Sequence, residues 1–356
     1  MRRYTLILGT RPEAIKLLPL MKALLARGYE CELISTHQHG SMLDAVYSDF
    51  GIYPDISLRG MPDASLLCRL AAYCTELEAH LVHRRPDAVI VQGDTLSAYA
   101  GAISAYLSGI EVYHVEAGLR TYDIHSPYPE EFIRRSIAAM ATLHFAPDDN
   151  ARINLLCEGV KEGGIFVTGN TVLDAIRLLA PRVSICEDKI IFTLHRRESE
   201  GRYADIFAGL YRFAIENPSV KILYPAHPRV FAMIPDELRT LSNLVITEPK
   251  SPREFYAELM SAEISVTDSG GITEECAALG IDALILRDKS ERWREEASGA
   301  VRCIGCEGEG LYRALTERVG ARRKIKRRAK ITHSPVEKIC DILDKLNNEA
   351  ECDEGH

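Results

Sequence analysis

Short β-branched apolar runs alternate with amphipathic segments along most of this chain, and each run ends in glycine or polar residues. "YTLILG" precedes "PEAIKLLPLMKALLARG", and "AVIVQGD" precedes "TLSAYAGAISAYLSG". The pattern restarts near residue 189 with "KIIFTLH", "KILYPAHP", "NLVITEP", "EISVTDSGG" and "ALILRD". Continuous apolar strands that alternate with helices indicate parallel sheets covered on both faces. The sequence therefore predicts an α/β protein with two doubly wound Rossmann-like domains facing a central cleft.

The alternation is interrupted between residues 169 and 188, and this stretch is the candidate linker. We expect an N-terminal domain over residues 1–168 and a C-terminal domain over residues 169–334. Ligands of doubly wound sheets bind beyond the carboxyl ends of the strands. Most residues of unusual chemistry in this chain fall at those ends, so we expect the functional site there.

Charge and hydropathy argue against several classes of protein. The 356 residues include 43 basic and 51 acidic side chains, a net charge of −8, whereas general affinity for nucleic acid needs a basic face. The first apolar run, which ends at Gly9, is too short for a signal peptide, and no later run reaches ~18 apolar residues. Cys303 and Cys306 have CxxC spacing, but no second Cys pair or His pair completes a zinc site. We expect a soluble cytoplasmic protein without a metal, a nucleic-acid partner or a membrane partner.

The stretch "VTDSGGITEECAALG" predicts a buried strand, a tight turn and a helix. The backbone amides of Ser269, Gly270 and Gly271 would point out of the helix N-terminus, where the dipole and unpaired N–H groups favour an anion. Glycines let a phosphate approach the backbone closely. Either Glu274 or Glu275 could accept hydrogen bonds from the hydroxyl groups of a sugar. The alternative is a plain strand–helix turn whose two glutamates complement the helix dipole.

Two further basic clusters stand at predicted strand ends. In "LGTRPEAIKLLP", Arg11 and Lys16 flank the start of a helix, and the planar guanidinium of arginine suits a phosphate. In "FTLHRRES", His195 ends a strand and is followed by Arg196 and Arg197, which favours an anion pocket. The alternatives are that Lys16 is an ordinary surface residue and that His195 is a structural histidine.

Carboxylates form a third group of candidates. Asp94 ends "AVIVQGD", Glu116 ends the strand "EVYHVEAG", and Glu130 and Glu131 lie in "SPYPEE". A carboxylate at the carboxyl end of a parallel strand faces the ligand crevice, whereas a structural carboxylate more often caps a helix. Three carboxylates that converge in one cleft favour proton transfer over simple charge pairing.

A set of motifs resembles the non-hydrolysing UDP-N-acetylglucosamine 2-epimerases, which have the two-domain glycosyltransferase-B fold. These motifs are "GTRPEAIKLLPLM", "GDTLSAYAGA", "HVEAGLRT", "SPYPEEFIRR", "VTGNTVLDA", "LHRRES", "TDSGGITEE" and "LRDKSERW". They occur in the family's order and span roughly residues 8–295. The resemblance implies a homodimer, and a C-terminal helix over residues 335–350 that packs back on the N-terminal domain.

The resemblance also implies a reaction and a role for each matched residue. UDP-N-acetylglucosamine and UDP-N-acetylmannosamine would be interconverted without NAD or metal, through loss of UDP and a 2-acetamidoglucal intermediate. The carried-over catalytic residues are Asp94, Glu116, Glu130 and His195. The carried-over substrate-binding residues are Arg11, Lys16, Asp94, Glu116, Arg134, His195, Phe255, Ser269, Gly270, Gly271, Glu275 and Arg292. In this assignment Glu275 holds the ribose, Phe255 packs near uracil, and Arg292 binds near the phosphates.

Some positions depart from the family pattern. Trp293 and Arg294 replace Pro and Glu after Arg292, so the side chains that follow Arg292 differ from the family pattern. The family's "GQHRxML" segment is "THQHGSML" here, and Ala64 and Ser65 replace an Arg-Gln pair. In many bacterial members those segments form a second, activating nucleotide-sugar site, so we expect that site to be weakened.

Three other activities remain open at this point. Relatives that act on diacetamido-uronic acid derivatives share most of these motifs. A hydrolysing 2-epimerase would release free N-acetylmannosamine, although its relatives usually lack the "SPxPEE" pattern. A glycosyltransferase of the same fold would use the same SGG segment and Glu275, but would not need the three carboxylates.

Overall fold

A computed structural model describes residues 2–38, 40, 42–59, 64–181, 184, 186, 188–195, 197–287, 301–320 and 333–353. The chain divides into a first unit of residues 1–178 and 333–356 and a second unit of residues 179–332. Each unit contains one parallel sheet covered by helices. Among the described helices, none is long and apolar enough to cross a membrane.

The first unit begins with strands that alternate with helices, as the apolar pattern predicts. Its strands are β1 (Arg3–Leu8), β2 (Glu30–Ser35), β3 (Ile56–Ser57), β4 (Ala88–Gln92), β5 (Glu111–Val115), β6 (Leu143–Ala146) and β7 (Ile165–Val167). Its helices to this point are α1 (Arg11–Ala26), α2 (Met42–Phe50), α3 (Leu66–Arg84), α4 (Leu96–Leu107), α5 (Glu130–Met140), α6 (Asp149–Cys157) and α7 (Val172–Leu179). The strand order is β3-β2-β1-β4-β5-β6-β7, and every neighbouring pair is parallel.

The second unit repeats this architecture. Its strands are β8 (Lys189–Thr193), β9 (Lys221–Pro225), β10 (Leu244–Thr247), β11 (Ile264–Thr267), β12 (Asp282–Ile285) and β13 (Val301–Cys303). Its described helices are α8 (Tyr203–Glu216), α9 (Pro228–Phe231), α10 (Asp236–Arg239), α11 (Pro252–Ser261), α12 (Gly270–Leu279) and α13 (Gly308–Gly320). The order β10-β9-β8-β11-β12-β13 is again parallel throughout. The predicted fold class, α/β with two doubly wound Rossmann-like domains, is therefore confirmed.

Buried apolar side chains on both faces of the strands explain why the sheets form. Strand β4 is buried along its whole length, and Leu6, Ile7 and Leu8 of β1 have no exposed surface. In the second unit, helices α8 and α13 approach closely because glycines line their contact. A Cβ built on Gly209 would lie 2.1 Å from the carbonyl oxygen of Gly308.

The last helix, α14 (Pro335–Asp353), belongs to the first unit although it follows the second unit in the sequence. Arg27, just after α1, forms ion pairs with Glu337, Asp341 and Asp344 of α14. Asn347 Nδ2 donates to the hydroxyl groups of Tyr4 (3.2 Å) and Tyr29 (3.0 Å). Polar contacts with β1 and with the residues after α1 thus attach this helix to the first unit.

The division between the units falls between Leu178 and Leu179, later than the expected boundary at residue 168. Helix α7 accounts for the difference. Asp174 on α7 accepts hydrogen bonds from Val336 N (2.9 Å) and from the hydroxyl group of Ser334. Because these contacts attach α7 to the start of α14, α7 belongs with the first unit.

Candidate active site

The candidate residues that follow strands lie at, or one strand from, the point in each sheet where the strand order reverses. In the first unit, Arg11 begins the helix after β1, Asp94 follows β4, and Glu116 follows β5. In the second unit, His195 follows β8 and Ser269 follows β11, and these two strands are neighbours. Crevices at such reversal points are the usual ligand sites of doubly wound sheets. The structure therefore gives two sets of candidates, one in each unit.

Glu116 and Lys16 form a buried ion pair in the first unit. Their side chains are 11% and 9% exposed, and Lys16 Nζ contacts Glu116 Oε2. Gln92 Nε2 also donates to Glu116 Oε2, at 3.0 Å. Glu116 has a φ of +64°, an uncommon backbone conformation for a residue other than glycine. The pairing contradicts the alternative in which Lys16 is a surface residue.

Asp94 is held by Arg134 on α5. Arg134 Nε donates to Asp94 Oδ2 at 3.0 Å, and a second guanidinium nitrogen also contacts this oxygen. The same guanidinium lies 3.4 Å from Oε2 of Glu131, a fully buried residue that also accepts the backbone N–H of Thr121 at 3.0 Å. Glu130 is partly buried at the first position of α5, one turn before Arg134. Helix α5 thus supplies one candidate carboxylate and the cation that holds another.

Glu13 is a further residue of this site, and the sequence motifs gave no role to it. It has no exposed surface, and its Oε2 accepts the backbone N–H groups of Gly9 (3.0 Å) and Thr10 (2.7 Å). Its Oε1 accepts the hydroxyl group of Thr95 at 2.5 Å. Burial raises the pKa of Glu13 from 4.5 to about 7. The Thr-x-x-Glu spacing from Thr10 was visible in the sequence as a capping box, but its burial was not.

His114 is a second residue to which the motifs gave no role. It supports the loop before Asp94. Burial lowers its pKa to about 3, so the imidazole is neutral at ordinary pH. Its Nε2 lies 2.8 Å from the carbonyl oxygen of Gly93 and donates to it. His114 is the first residue of the motif "HVEAGLRT", but the motif alone gave it no role.

In the second unit, His195 is paired with the buried carboxylate of Asp268, another residue not identified from the motifs. Nδ1 of His195 lies 2.6 Å from Asp268 Oδ1, and the backbone N–H of His195 donates to Oδ2 at 3.0 Å. Asp268 has no exposed surface, whereas the His195 side chain is 39% exposed. A carboxylate on Nδ1 fixes the ring orientation and leaves Nε2 for a ligand. His227 is close enough to His195 for the two rings to interact electrostatically. Burial, Arg229 and His195 all lower the pKa of His227.

The start of α12 has the geometry expected of an anion site. Ser269 is the N-cap, and its Oγ accepts the N–H of Ile272 at 3.4 Å. A Cβ built on Gly271 would have its nearest neighbour, Ser269 Oγ, at 3.9 Å, so a ligand atom can approach the backbone. Gly270 is the first residue of the helix. The open backbone and the N-terminal dipole favour a phosphate.

Glu275 and Phe255 lie in the same unit as this helix start. Glu275 is 8% exposed, and its Oε1 accepts the hydroxyl group of Tyr256 at 3.0 Å. The Phe255 and Tyr256 rings are 6.4 Å apart, centre to centre. Arg292, the remaining predicted binding residue, lies outside the described residues, as do Arg196, Trp293 and Arg294. No cluster of His, Cys, Asp and Glu in the described part of the chain could hold a metal ion.

A family model described as UDP-N-acetylglucosamine 2-epimerase matches residues 22–344. The chain belongs to this family. The family suggested by the motifs is thus confirmed at the level of UDP-N-acetylglucosamine 2-epimerases.

Curated and structurally known epimerases agree with this assignment. The UDP-N-acetylglucosamine 2-epimerase of Salmonella typhimurium is 39% identical over 86% of this chain and 87% of its own length. The S. aureus MnaA–UDP co-structure has a TM-score of 0.88 and 33% identity over 98% of this chain and 97% of its own. The UDP-GlcNAc 2-epimerase of Neisseria meningitidis bound to UDP-GlcNAc has a TM-score of 0.86 and 32% identity over 97% of this chain and 100% of its own.

Proposed function

We propose that this epimerase-family protein reversibly interconverts UDP-N-acetylglucosamine and UDP-N-acetylmannosamine without hydrolysing them. The observation that carries the proposal is the pair of carboxylates that follow β4 and β5, beside the reversal point of the first sheet. Glu116 and Asp94 follow adjacent parallel strands, and each is held by a cation, Lys16 or Arg134. The N. meningitidis relative bound to UDP-GlcNAc supports the choice of substrate.

We assign UDP binding to the second unit. The diphosphate would bind at the backbone of Ser269, Gly270 and Gly271, where helix α12 begins. Glu275 would accept hydrogen bonds from the ribose, and Phe255 would pack near the uracil. The S. aureus relative with bound UDP supports a uridine nucleotide as the ligand.

Proton transfer is assigned to Asp94, Glu116 and Glu130. One carboxylate removes the proton on C2 of the sugar while the C1–O bond breaks and its electron pair leaves with UDP. The product of this step is 2-acetamidoglucal. UDP then adds back to C1 as a proton is delivered to the opposite face of C2, so no electrons are gained or lost overall. General acid–base catalysis of this kind contributes about 10²- to 10⁴-fold to a rate.

The remaining predicted residues stabilise charge. The C2 proton is weakly acidic, so its removal must be coupled to departure of a good leaving group. His195, oriented by Asp268, would neutralise the charge that develops on the departing diphosphate. Arg11 at the first position of α1 and Lys16 on the same helix would hold the nucleotide sugar, and Arg292 would bind near the phosphates.

Incubation with UDP-N-acetylglucosamine alone in D2O, followed by NMR, tests the proposal. We expect UDP-N-acetylmannosamine to form, with deuterium at C2 in both the product and the recovered substrate. Formation of free N-acetylmannosamine and UDP would identify a hydrolysing epimerase instead. Turnover that retains the C2 hydrogen would rule out proton abstraction. If only diacetamido-uronic acid derivatives react, the sugar assignment is wrong while the mechanism stands.

Two further properties belong to the same proposal. We expect a homodimer, which light scattering on the purified protein would distinguish from a monomer. We place the reaction in the cytoplasm, and fractionation of the source cells would test this.

A further inference from the structure

The buried carboxyl group of Glu13 joins two loops that are far apart in the sequence. One oxygen caps the start of α1 through the backbone amides of Gly9 and Thr10. The other accepts the hydroxyl group of Thr95, the N-cap of α4, which in turn accepts the N–H of Ala98 at 3.0 Å. Glu13 therefore links the loop that follows β1 to the loop that follows β4.

Helix capping by itself does not account for this arrangement. Ser251 and Glu254 form the same kind of capping box at the start of α11, and Glu254 is exposed to solvent. At Glu13 the carboxyl group is fully buried, which is unfavourable for a charge. A capping box needs one side-chain oxygen, so the second oxygen at this buried position serves the contact with Thr95.

The linked loops carry the two halves of the proposed proton-transfer set. Asp94 immediately precedes Thr95, and Lys16 lies one turn after Glu13 on α1. Lys16 in turn holds Glu116. Adjacent strands already join the two loops, since Gln92 contacts Glu116 and His114 contacts Gly93. The Glu13 carboxyl group adds a second connection, from Asp94 through Thr95 to α1, which carries Lys16.

We propose that Glu13 is a positioning residue that sets the placement of Asp94 relative to the Lys16–Glu116 pair. This inference rests on the proposed epimerase function. A shift of Asp94 relative to Glu116 would change how often the intermediate is protonated on each face of C2. A change of about 1 Å in the position of a reacting group can lower a rate about 100-fold.

The test compares two rates measured in D2O by NMR, the gain of deuterium in recovered substrate and the formation of the C2 epimer. Glu13→Asp keeps the charge but shortens the side chain by one methylene, and Thr95→Ala removes the hydroxyl group at the other end of the link. Glu13→Gln keeps the link, because its Oε1 can accept both amides while Nε2 donates to Thr95. Glu254→Asp is the matched control in an exposed capping box.

We expect Glu13→Asp and Thr95→Ala to lower kcat about 10- to 100-fold and to change the exchange-to-epimer ratio at least about threefold. Glu13→Gln and Glu254→Asp should keep the wild-type ratio. A purely structural role would reduce the amount of active enzyme and leave the ratio unchanged, so an unchanged ratio in Glu13→Asp overturns the inference. The inference is also overturned if Glu13→Gln alters the ratio as much as Glu13→Asp does. The charge of residue 13, and not its contact with Thr95, would then determine the ratio. A wild-type protein with neither exchange nor epimer would instead overturn the proposed function and, with it, this inference.

Discussion

Burial of the Glu13 carboxyl group has a consequence for stability as well as for positioning. Its pKa in the folded protein, about 7, is above the ordinary value of 4.5. Between these values the folded state binds more protons than the unfolded state. The contribution of Glu13 to the free energy of unfolding is therefore greatest below about pH 4.5 and is lost as the pH rises through about 7.

Glu13→Gln should remove this dependence, because glutamine does not titrate. Between about pH 5 and about pH 8, we expect the free energy of unfolding of the variant to rise relative to wild type by on the order of 2 kcal/mol. Urea unfolding over a pH series measures the difference, with Glu254→Gln as the exposed control. A difference that stays constant with pH would mean that Glu13 titrates normally.

Replacing the proposed catalytic residues should affect activity in each case. We expect Asp94→Asn, Glu116→Gln, Glu130→Gln and His195→Asn each to lower kcat by about 10²-fold or more. Glu116→Gln should also lower the melting temperature, because it removes the carboxylate charge that pairs with the buried Lys16 ammonium. The double variant Lys16→Met with Glu116→Gln should regain stability and remain inactive. Recovery of activity in that double variant would assign Glu116 a structural role.

Some of these residues could be predicted from the sequence, and others could not. Asp94 and Glu116 directly follow apolar strands, so their location at a sheet edge follows from the pattern alone. The partner of Glu116 lies 100 positions away, and no local pattern specifies such a contact. Asp268 was visible only as the last residue of a predicted strand, and its role depends on the neighbouring strand that brings His195 beside it.

The close packing of α8 against α13 in the second unit depends on glycines, among them Gly209. Because a Cβ on Gly209 would lie 2.1 Å from the Gly308 carbonyl oxygen, Gly209→Ala must force α8 and α13 apart. We expect a loss of about 1 to 3 kcal/mol in the free energy of unfolding. Urea unfolding measures it, with Gly201→Ala as control, since no described heavy atom lies within 4 Å of a Cβ on Gly201. Equal stability of the two variants would show that the helices separate without cost.

The strands and main helices were predictable because their apolar runs and caps are local signals. Thr95, Ser251 and Ser269 are each followed by the helix that they cap. The extent of the first unit was less predictable. Helix α7 follows the expected linker start, and its contacts with Ser334 and Val336, far along the chain, attach it to the first unit.

Regulation of the enzyme is the property for which the departures from the family pattern matter most. Ala64 and Ser65 stand where the family pattern described under the sequence analysis has an Arg-Gln pair, and Gln38 accepts a hydrogen bond from Ser97 Oγ at 2.9 Å. His39 and Ser41, in the other segment of the expected activating site, lie outside the described residues. Loss of a charge-assisted hydrogen bond to phosphate costs about 1.5 to 3 kcal/mol, or about 10- to 150-fold in affinity.

We therefore expect a hyperbolic dependence of the rate on UDP-sugar concentration. An effector that binds the active state so weakly couples little to catalysis. The reverse reaction should begin without delay from pure UDP-N-acetylmannosamine, as a progress curve would record. A lag abolished by a trace of UDP-N-acetylglucosamine would mean that nearby basic residues, such as Arg59 or Arg69, have rebuilt the site.

The position of α14 also determines the order in which a ribosome can complete the two units. The contacts that Arg27, Tyr29 and Tyr4 make with α14 must wait until residues 179–332 have been synthesised. At about 5 to 20 residues per second, that interval lasts roughly 10 to 30 s. Nascent chains stalled in this interval should be cleaved near Arg27 by a protease. The same protease should not cleave at this position in the released protein. The unit whose synthesis begins first is the last to be completed.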